Sequence, residues 1–341
     1  MDLQALSERE ATVLQSLVEA HIELGEPIGS RTLCERQDWD ISSATVRATL
    51  ARLEDLGFVT QPHTSAGRVP TDKGYRFYVA QRTSQGGFGQ EAEEVRLREE
   101  LERRLREGSY DQILAQLAQV LGEVSHQLGL VMAPRFEQGL FDRLELVQLA
   151  SNRLLIVLSI RHGLVKSLVM EVDSLIHRDE LEAMARLLNE RLHGLSMAQI
   201  RRSIRERVSS LHTGNPHLLK AVTDEIQSLA LAAAADLHVA GARNICLQPE
   251  FHDPARMAEL MDLVERRDLL VRLLSARKGM VITIGKENLA QAMQLCSVVT
   301  ASYEVNGAWG VIGVVGPMRM PYGRVVNLVN CAADRAAWLA A

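Results

Sequence analysis

Basic side chains are concentrated in one short part of the sequence, between residues 42 and 82. This part holds six Lys and Arg residues against three Asp and Glu, a net charge of +3, whereas residues 1–41 hold three against nine, a net charge of −6. Clustered guanidinium and ammonium groups bind phosphate oxygens, and arginine also pairs with the guanine edge. The residues therefore predict a localised face for nucleic acid on a chain whose total net charge is −5.

A predicted helix within ISSATVRATLARLEDLGF would present part of this charge on a flat surface. Val46, Leu50 and Leu53 form one apolar stripe. Ala44, Ala48 and Ala51 face outward, flanked by Arg47 on one side and by Thr45 and Arg52 on the other. Small residues let a helix approach the floor of the DNA major groove, where alanine and threonine methyl groups meet thymine methyls. A solvated helix face is the alternative interpretation.

The N-terminus of this helix is a second candidate contact. Ser42 or Ser43 is the expected N-cap, because serine side chains accept hydrogen bonds from the backbone of the first turn. The remaining N–H groups of that turn form a natural binding place for a phosphate.

The segments around this helix predict a frame that holds it. SEREATVLQSLVEAHIELG has a capping box at Ser7 and Glu10 and ends at Gly25, and a second short helix runs through SRTLCERQ, with Ser30 as its expected cap. FVTQPHTSAGRVPT then indicates two short strands around a turn. Three helices followed by a two-stranded ribbon is the layout of a winged helix-turn-helix, whose third helix enters the major groove.

The ribbon supplies further candidate contacts with DNA. Gly67 permits a tight turn, and Arg68 is predicted to project from it toward a narrow minor groove. An incidental arginine in a turn is the alternative. The complete predicted DNA-binding set is Ser42, Ser43, Ala44, Thr45, Arg47, Ala48, Arg52, His63, Thr64, Ser65, Arg68, Lys73 and Arg76.

Residue patterns for catalysis, cofactor binding or metal binding do not occur in the sequence. It has no GxSxG, HExxH, GxxxxGK[ST] or DxDxDG motif and no CxxC pair. Gly310, Gly313 and Gly316 lie in a β-rich run, where close packing in a sheet is expected rather than a dinucleotide site. Lys286-Glu287-Asn288 predicts a βα turn, with polar groups around a small-molecule pocket as the alternative. We expect no catalytic residue, cofactor or metal ion.

Composition is that of an ordinary globular protein, with 341 residues, of which 47% are hydrophobic and 24% charged. Four widely spaced cysteines, Cys34, Cys246, Cys296 and Cys331, are expected to be reduced and mostly buried. The N-terminus has no secretory signal pattern, and no apolar run approaches the ~18 residues that a membrane span needs. We therefore expect a cytoplasmic protein without a membrane partner.

Periodicity predicts a multidomain α+β fold. TSQGGFGQ has the composition of a linker at residues 83–90, which places the first domain at 1–82. EAEEVRLREELERRLREG follows as a predicted solvated helix, a surface connector. Three β-rich runs, LELVQLA, LLIVLSI and LVKSLVMEV, suggest antiparallel hairpins, and a helical block extends from residue 178 to 235.

Strand character returns in RNICLQ, KGMVITIG and a long hairpin around Asn306-Gly307, before a final helix from about Pro321. The pattern predicts one α+β domain, at residues 91–177 and 236–341, which is interrupted by an inserted helical subdomain at 178–235.

Several long strings resemble the HrcA family of heat-inducible transcription repressors. They are GEPIGSRTL, ISSATVRATLARLEDLGFV, QPHTSAGRVPTDKGYRFYV, VITIGKEN and SVVTASYEVNGAWGVIGVVGPMRMPYGRVV. Together they extend the resemblance over essentially the whole chain.

The resemblance implies a homodimeric repressor with an N-terminal winged helix, a GAF-like α+β domain and a helical dimerisation insert. It also implies an inverted-repeat DNA operator, called CIRCE, ahead of chaperone operons, and folding that depends on the chaperonin GroEL.

The sequence departs from the family at Ala48 and Thr49, where an asparagine and an acidic residue are usual. An amide at the first position would contact adenine, so we expect a shifted operator preference with general DNA binding retained. Two other functions stay open: a metabolite-sensing regulator that uses the GAF-like domain as a ligand pocket, and an enzyme that uses the C-terminal domain.

Overall fold

The N-terminal part of the chain folds into four helices and a small ribbon, here called the head. In order these are α1 (Glu8–Leu24), α2 (Ser30–Arg36), α3 (Ser43–Asp55), β1 (Val59–Thr60), β2 (Val69–Pro70) and α4 (Asp72–Ser84). The structure, a computed structural model, describes residues 6–36, 42–63, 66–85, 87–88, 91–134, 139–160, 165–172, 176–209, 216–232, 237–305 and 307–338. The predicted linker from residue 83 thus begins inside α4, which continues to Ser84.

Local signals in the head are confirmed. The predicted capping box of α1 is present, with Ser7 and Glu10 each bonded to the backbone of the other, and Gly25 ends the helix in the left-handed conformation with φ 71°. Leu14, Leu33 and Phe58 are fully buried and hold the helices together.

The remaining elements follow in chain order. They are α5 (Glu91–Arg104), α6 (Tyr110–Ser125), β3 (Leu128–Met132), β4 (Phe141–Ala150), β5 (Arg153–Ile160), β6 (Val165–Glu171), α7 (Arg178–Leu192), α8 (Met197–Ser209), α9 (Pro216–Ala232), β7 (Leu237–Ala240), α10 (Ala242–Cys246), α11 (Pro254–Glu265), α12 (Arg267–Ser275), β8 (Met280–Ile284), β9 (Cys296–Val305), β10 (Ala308–Pro317) and α13 (Tyr322–Trp338).

A five-stranded antiparallel sheet, the central sheet, has the strand order β7-β3-β10-β9-β8. Side chains alternate between its faces, so Val131 packs with α6, α13 and the head, while Leu130 and Met132 pack with α10, α11 and α12. The glycine-rich run lies inside this sheet: an added Cβ at Gly310 would lie 2.3 Å from the ring of Tyr303, which confirms the prediction of close packing.

Two sequence predictions for this region are wrong. RNICLQ, predicted as a strand, lies largely in helix α10, and the strand of this region is β7. Helix α5 is not a solvated connector, because Leu97 and Leu101 are buried against the core that contains α13. Its charged residues occupy the other side of the helix, so the helix is polar toward solvent and apolar toward the core.

Strands β4, β5 and β6 form a separate antiparallel sheet that packs on α7, α8 and α9, and these six elements are here called the insert. Ile156 on β5 and Leu188 on α7 are both fully buried in this core. The sequence predicted an insert of helices alone at 178–235, with the strands in the GAF-like part at 91–177. The structure differs from this prediction: β4, β5 and β6 belong to the insert, because their apolar side is buried against its helices.

The insert sheet exposes apolar side chains on its other side, here called the outer sheet face. Val147, Leu155 and Val169 stand side by side across its three strands. Val147 is 42% exposed and Val169 39% exposed. Exposed large hydrophobic side chains are found on β4 and β6 but not on α7, α8 or α9, as far as side chains are described there.

The cysteines carry no disulfide in the described chain: Cys296 and Cys331 are buried, Cys34 is half-buried and Cys246 is exposed. In the described ranges, no helix combines the length and the apolar character needed to cross a bilayer.

Candidate nucleic-acid interface

Helix α3 separates the two kinds of side chain as the sequence predicted. Val46, Leu50 and Leu53 are at most 4% exposed. The opposite side is open to solvent and consists of Ser43, Ala44, Arg47, Ala48, Ala51 and Arg52, here called the α3 face. Its centre is flat because alanine has no side chain beyond Cβ.

The first turn of α3 is capped by Ser42. Its Oγ accepts a hydrogen bond from the Thr45 backbone N–H at 3.2 Å and lies 3.0 Å from Thr45 Oγ1. This leaves the N–H groups of the first residues of the helix without intrahelical acceptors, which is the arrangement that favours an anion. Thr45 itself is half-buried, at the edge of the α3 face.

Thr49 lies inside the head, although the sequence departs from the family there. Its side chain is 8% exposed, and its Oγ1 donates to the Thr45 carbonyl at 3.1 Å. Only the departure at Ala48 therefore lies on the α3 face.

Arg47 and Arg52 are the cations of this face. Both are exposed, and neither forms an ion pair with another described residue. Arg52 lies near enough to Glu10 to contribute to the lowered pKa of that carboxyl, whose main cause is the hydrogen bonding of the capping box at Ser7.

The ribbon consists of two short strands, as predicted, but Arg68 does not project from it. Strands β1 and β2 pair only at Val59–Pro70 and Thr60–Val69. An Arg68 Nη lies 2.8 Å from a carboxylate oxygen of Glu54 on α3, and the Arg68 side chain is 20% exposed. An ion pair within the head therefore holds the guanidinium that was predicted to reach the minor groove.

Glycine is required at position 67 because the backbone of Ile28 passes close to it, in addition to its place in the turn. An added Cβ would lie 2.4 Å from the carbonyl carbon of Ile28. Arg68 and Ile28 exchange backbone hydrogen bonds of 2.8 and 2.9 Å at this place. His63 is exposed near the tip, while Thr64 and Ser65 lie outside the described residues.

Lys73 and Arg76 point toward other parts of the protein. Lys73 Nζ donates to the Leu56 carbonyl at 2.9 Å and lies 4.3 Å from the centre of the Phe58 ring. Arg76 donates from Nε to a Glu287 carboxylate oxygen at 2.6 Å and from Nη to the Ile282 carbonyl at 2.7 Å. Both were predicted to bind DNA, but in this structure their charges are engaged by the protein.

The contact around Arg76 joins the head to the central sheet. The backbone N–H of Lys286 donates to Asp72 Oδ2 at 3.0 Å beside it. Sequence reasoning assigned Lys286-Glu287-Asn288 to a turn or a pocket and missed this partner. The sequence does not reveal this pairing, because Arg76 lies on an amphipathic helix and Glu287 follows a distant strand.

A half-buried histidine and a buried tyrosine meet between α1 and α4. His21 Nδ1 lies 2.7 Å from the Tyr75 hydroxyl oxygen. Burial raises the pKa of Tyr75 well above its ordinary value, and burial, with Arg319 nearby, lowers the pKa of His21. Both shifts favour the neutral forms of the two groups, which lie within hydrogen-bond distance of each other.

The chain is similar over its whole length to transcription repressors. The "Heat-inducible transcription repressor HrcA" of Chlorobium phaeobacteroides (strain BS1) is 39% identical, over 97% of this chain and 97% of that protein. The protein of the same name from Prosthecochloris aestuarii (strain DSM 271 / SK 413) is 37% identical, over 97% and 96%. The description "HrcA protein C terminal domain" matches residues 111–326.

A solved structure shares the fold. The crystal structure of a hypothetical protein at 2.2 Å resolution superposes with a TM-score of 0.66 at 21% identity, over 98% of each chain. Fold and relatives together define a multidomain α+β protein in the class of heat-inducible transcription repressors. The chain belongs to the HrcA family.

Proposed function

We propose that this protein represses heat-shock chaperone operons by binding, as a homodimer, to an inverted-repeat operator of the CIRCE type. The head acts as a winged helix-turn-helix and the central sheet belongs to a GAF-like domain. As the family resemblance implies, folding to the DNA-binding form depends on the chaperonin GroEL.

The observation that carries the DNA-binding proposal is the α3 face. A flat alanine surface fits the major groove, where arginine reaches guanine or phosphate, and its two arginines have no ion-pair partner among the described residues. The capped N-terminus of α3 adds backbone N–H donors for a phosphate. The other cations of residues 42–82 have partners in the protein, which are Glu54 for Arg68, the Leu56 carbonyl for Lys73, Glu287 for Arg76 and Glu19 for Arg82.

The outer sheet face supports the dimer. An inverted-repeat operator has two-fold symmetry, and a dimer with the same symmetry matches it. In such a dimer the same surface patch of each copy contacts the other copy. An apolar row across three strands is suited to such packing, because burial of its side chains removes them from water in both copies. We propose that the dimer forms through these strands rather than through the helices of the insert.

The test is a binding titration at several salt concentrations, with an inverted-repeat chaperone promoter and a scrambled duplex of equal length. We expect tighter binding to the inverted repeat by about 10³-fold or more, with an affinity that falls as salt rises. A steep salt dependence with equal affinity for the two duplexes would reduce the function to non-specific DNA binding.

A further inference from the structure

An arginine without an acidic partner lines a small cavity between α12 and the central sheet. Arg277 follows α12 and donates to Thr283 Oγ1 at 2.8 Å and to Thr300 Oγ1 at 3.5 Å. No carboxylate of the described chain forms an ion pair with its guanidinium. Burial lowers the pKa of Arg277.

The cavity has a volume of about 170 Å³ and mostly apolar walls. Leu130, Leu270, Leu274, Met293 and Val298 form much of its lining. A cavity of ~150 Å³ with such walls holds a benzene molecule. The space therefore fits an apolar group of about that size.

The other polar groups at the cavity already have partners. Asn288 donates to the carbonyls of Gly285, Met293 and Cys296 and accepts from Thr283. Glu287 is neutralised by Arg76 and also accepts from the Ile284 backbone N–H at 2.9 Å.

Arg277, in contrast, has five N–H donors, of which its two threonine partners engage only two. Since a guanidinium binds a carboxylate with two parallel hydrogen bonds, the unused donors suit an anion.

An exposed leucine marks the mouth of the cavity. Leu289 lines it, yet its side chain is 91% exposed. An apolar body in the cavity would cover part of this side chain and remove it from water, which favours binding.

We propose that this cavity binds a small monocarboxylate with an apolar body the size of a benzene ring, and that its carboxylate pairs with Arg277. A single arginine balances the one negative charge of a carboxylate, whereas a phosphate carries more than one and would leave charge uncompensated among the apolar walls. The proposal does not depend on DNA binding.

The test compares benzoate with benzamide, which has nearly the same shape but no charge. Calorimetric titration of the full chain should show benzoate binding at least about tenfold more tightly, with a matching rise in melting temperature. Inorganic phosphate should neither bind detectably nor displace benzoate. Equal affinity for benzoate and benzamide, absence of benzoate binding at millimolar concentration, or displacement by phosphate would each overturn the proposal.

Variants locate the site. Arg277→Met should reduce the affinity for benzoate to that for benzamide, and Arg277→Lys should retain part of the preference. Arg272→Met is the matched control, because Arg272 is an exposed residue on α12 outside the cavity lining, and it should leave binding unchanged. Retention of the preference in Arg277→Met would contradict the assignment. If that variant does not fold, the comparison of the two ligands on the unaltered chain decides.

Discussion

The α3 face and the outer sheet face are both exposed, but they differ in chemistry. The first is built of alanines edged by Arg47 and Arg52, and water solvates it readily. The second places Val147, Leu155 and Val169 in one row, in which Val147 and Val169 are exposed. This contrast indicates two kinds of partner: a polyanion for the first surface and a second apolar surface for the other.

A charge on the outer sheet face should have the largest effect. Val169→Asp places one carboxylate per copy, two in all, in the proposed interface, at a cost of about 3–5 kcal/mol. We expect the protein to sediment as a monomer and to lose most of its affinity for the inverted repeat. The outward side chain leaves the core of the insert intact.

Leu247→Asp is the control for this variant. Leu247 is 68% exposed but lies after α10, away from the insert. It should leave the dimer unchanged. A dimer that persists in Val169→Asp would mean that the outer sheet face is not the interface.

Removal of one arginine from the α3 face should have an intermediate effect. Arg47→Ala is expected to cost about 1–3 kcal/mol of operator binding if Arg47 contacts a base, with a smaller loss on scrambled DNA. Arg205→Ala removes the same charge from α8, where the side chain is 70% exposed, and should change little. Equal losses for Arg47→Ala on both duplexes would assign Arg47 to a phosphate instead.

The smallest expected effect on DNA affinity concerns Arg68, which is paired with Glu54 inside the head. Glu54→Gln weakens the ion pair with Arg68 and removes a negative charge beside α3, so affinity should rise a few-fold on any sequence. Arg68→Ala should weaken binding to many sequences and reduce the gain from Glu54→Gln when the two are combined. Independent effects in the double variant would show that Arg68 stays on Glu54 in the complex.

Local features of the fold could be predicted from the sequence. The capping box of α1 and the two sides of α3 depend on residues three or four apart, which a single sequence displays. The cationic side of α3 follows from the same periodicity, because its buried stripe leaves Arg47 and Arg52 outside.

Pairings between distant residues could not be predicted. Arg76 and Glu287 are 211 residues apart, and nothing in the composition of either segment names the other. The same holds for the leucines of α5, which are covered by α13, and for β4–β6, whose alternation predicts strands but not the sheet that they join. At Arg68 a turn position predicts an outward side chain, whereas the carboxylate of Glu54 holds the guanidinium in this structure.

The order of the strands in the central sheet has a consequence for biosynthesis. Residues 128–132 of β3 pair with residues 311–315 of β10, and residues 129–132 also pair with residues 237–240 of β7, so an apolar strand made in the first half of translation gains its second neighbour only near the end. Pairing between segments so far apart in the sequence slows folding and leaves unpaired, aggregation-prone strand edges on the nascent chain. This strand order thus leaves apolar strand edges exposed during much of synthesis, and exposed apolar edges are what chaperones bind.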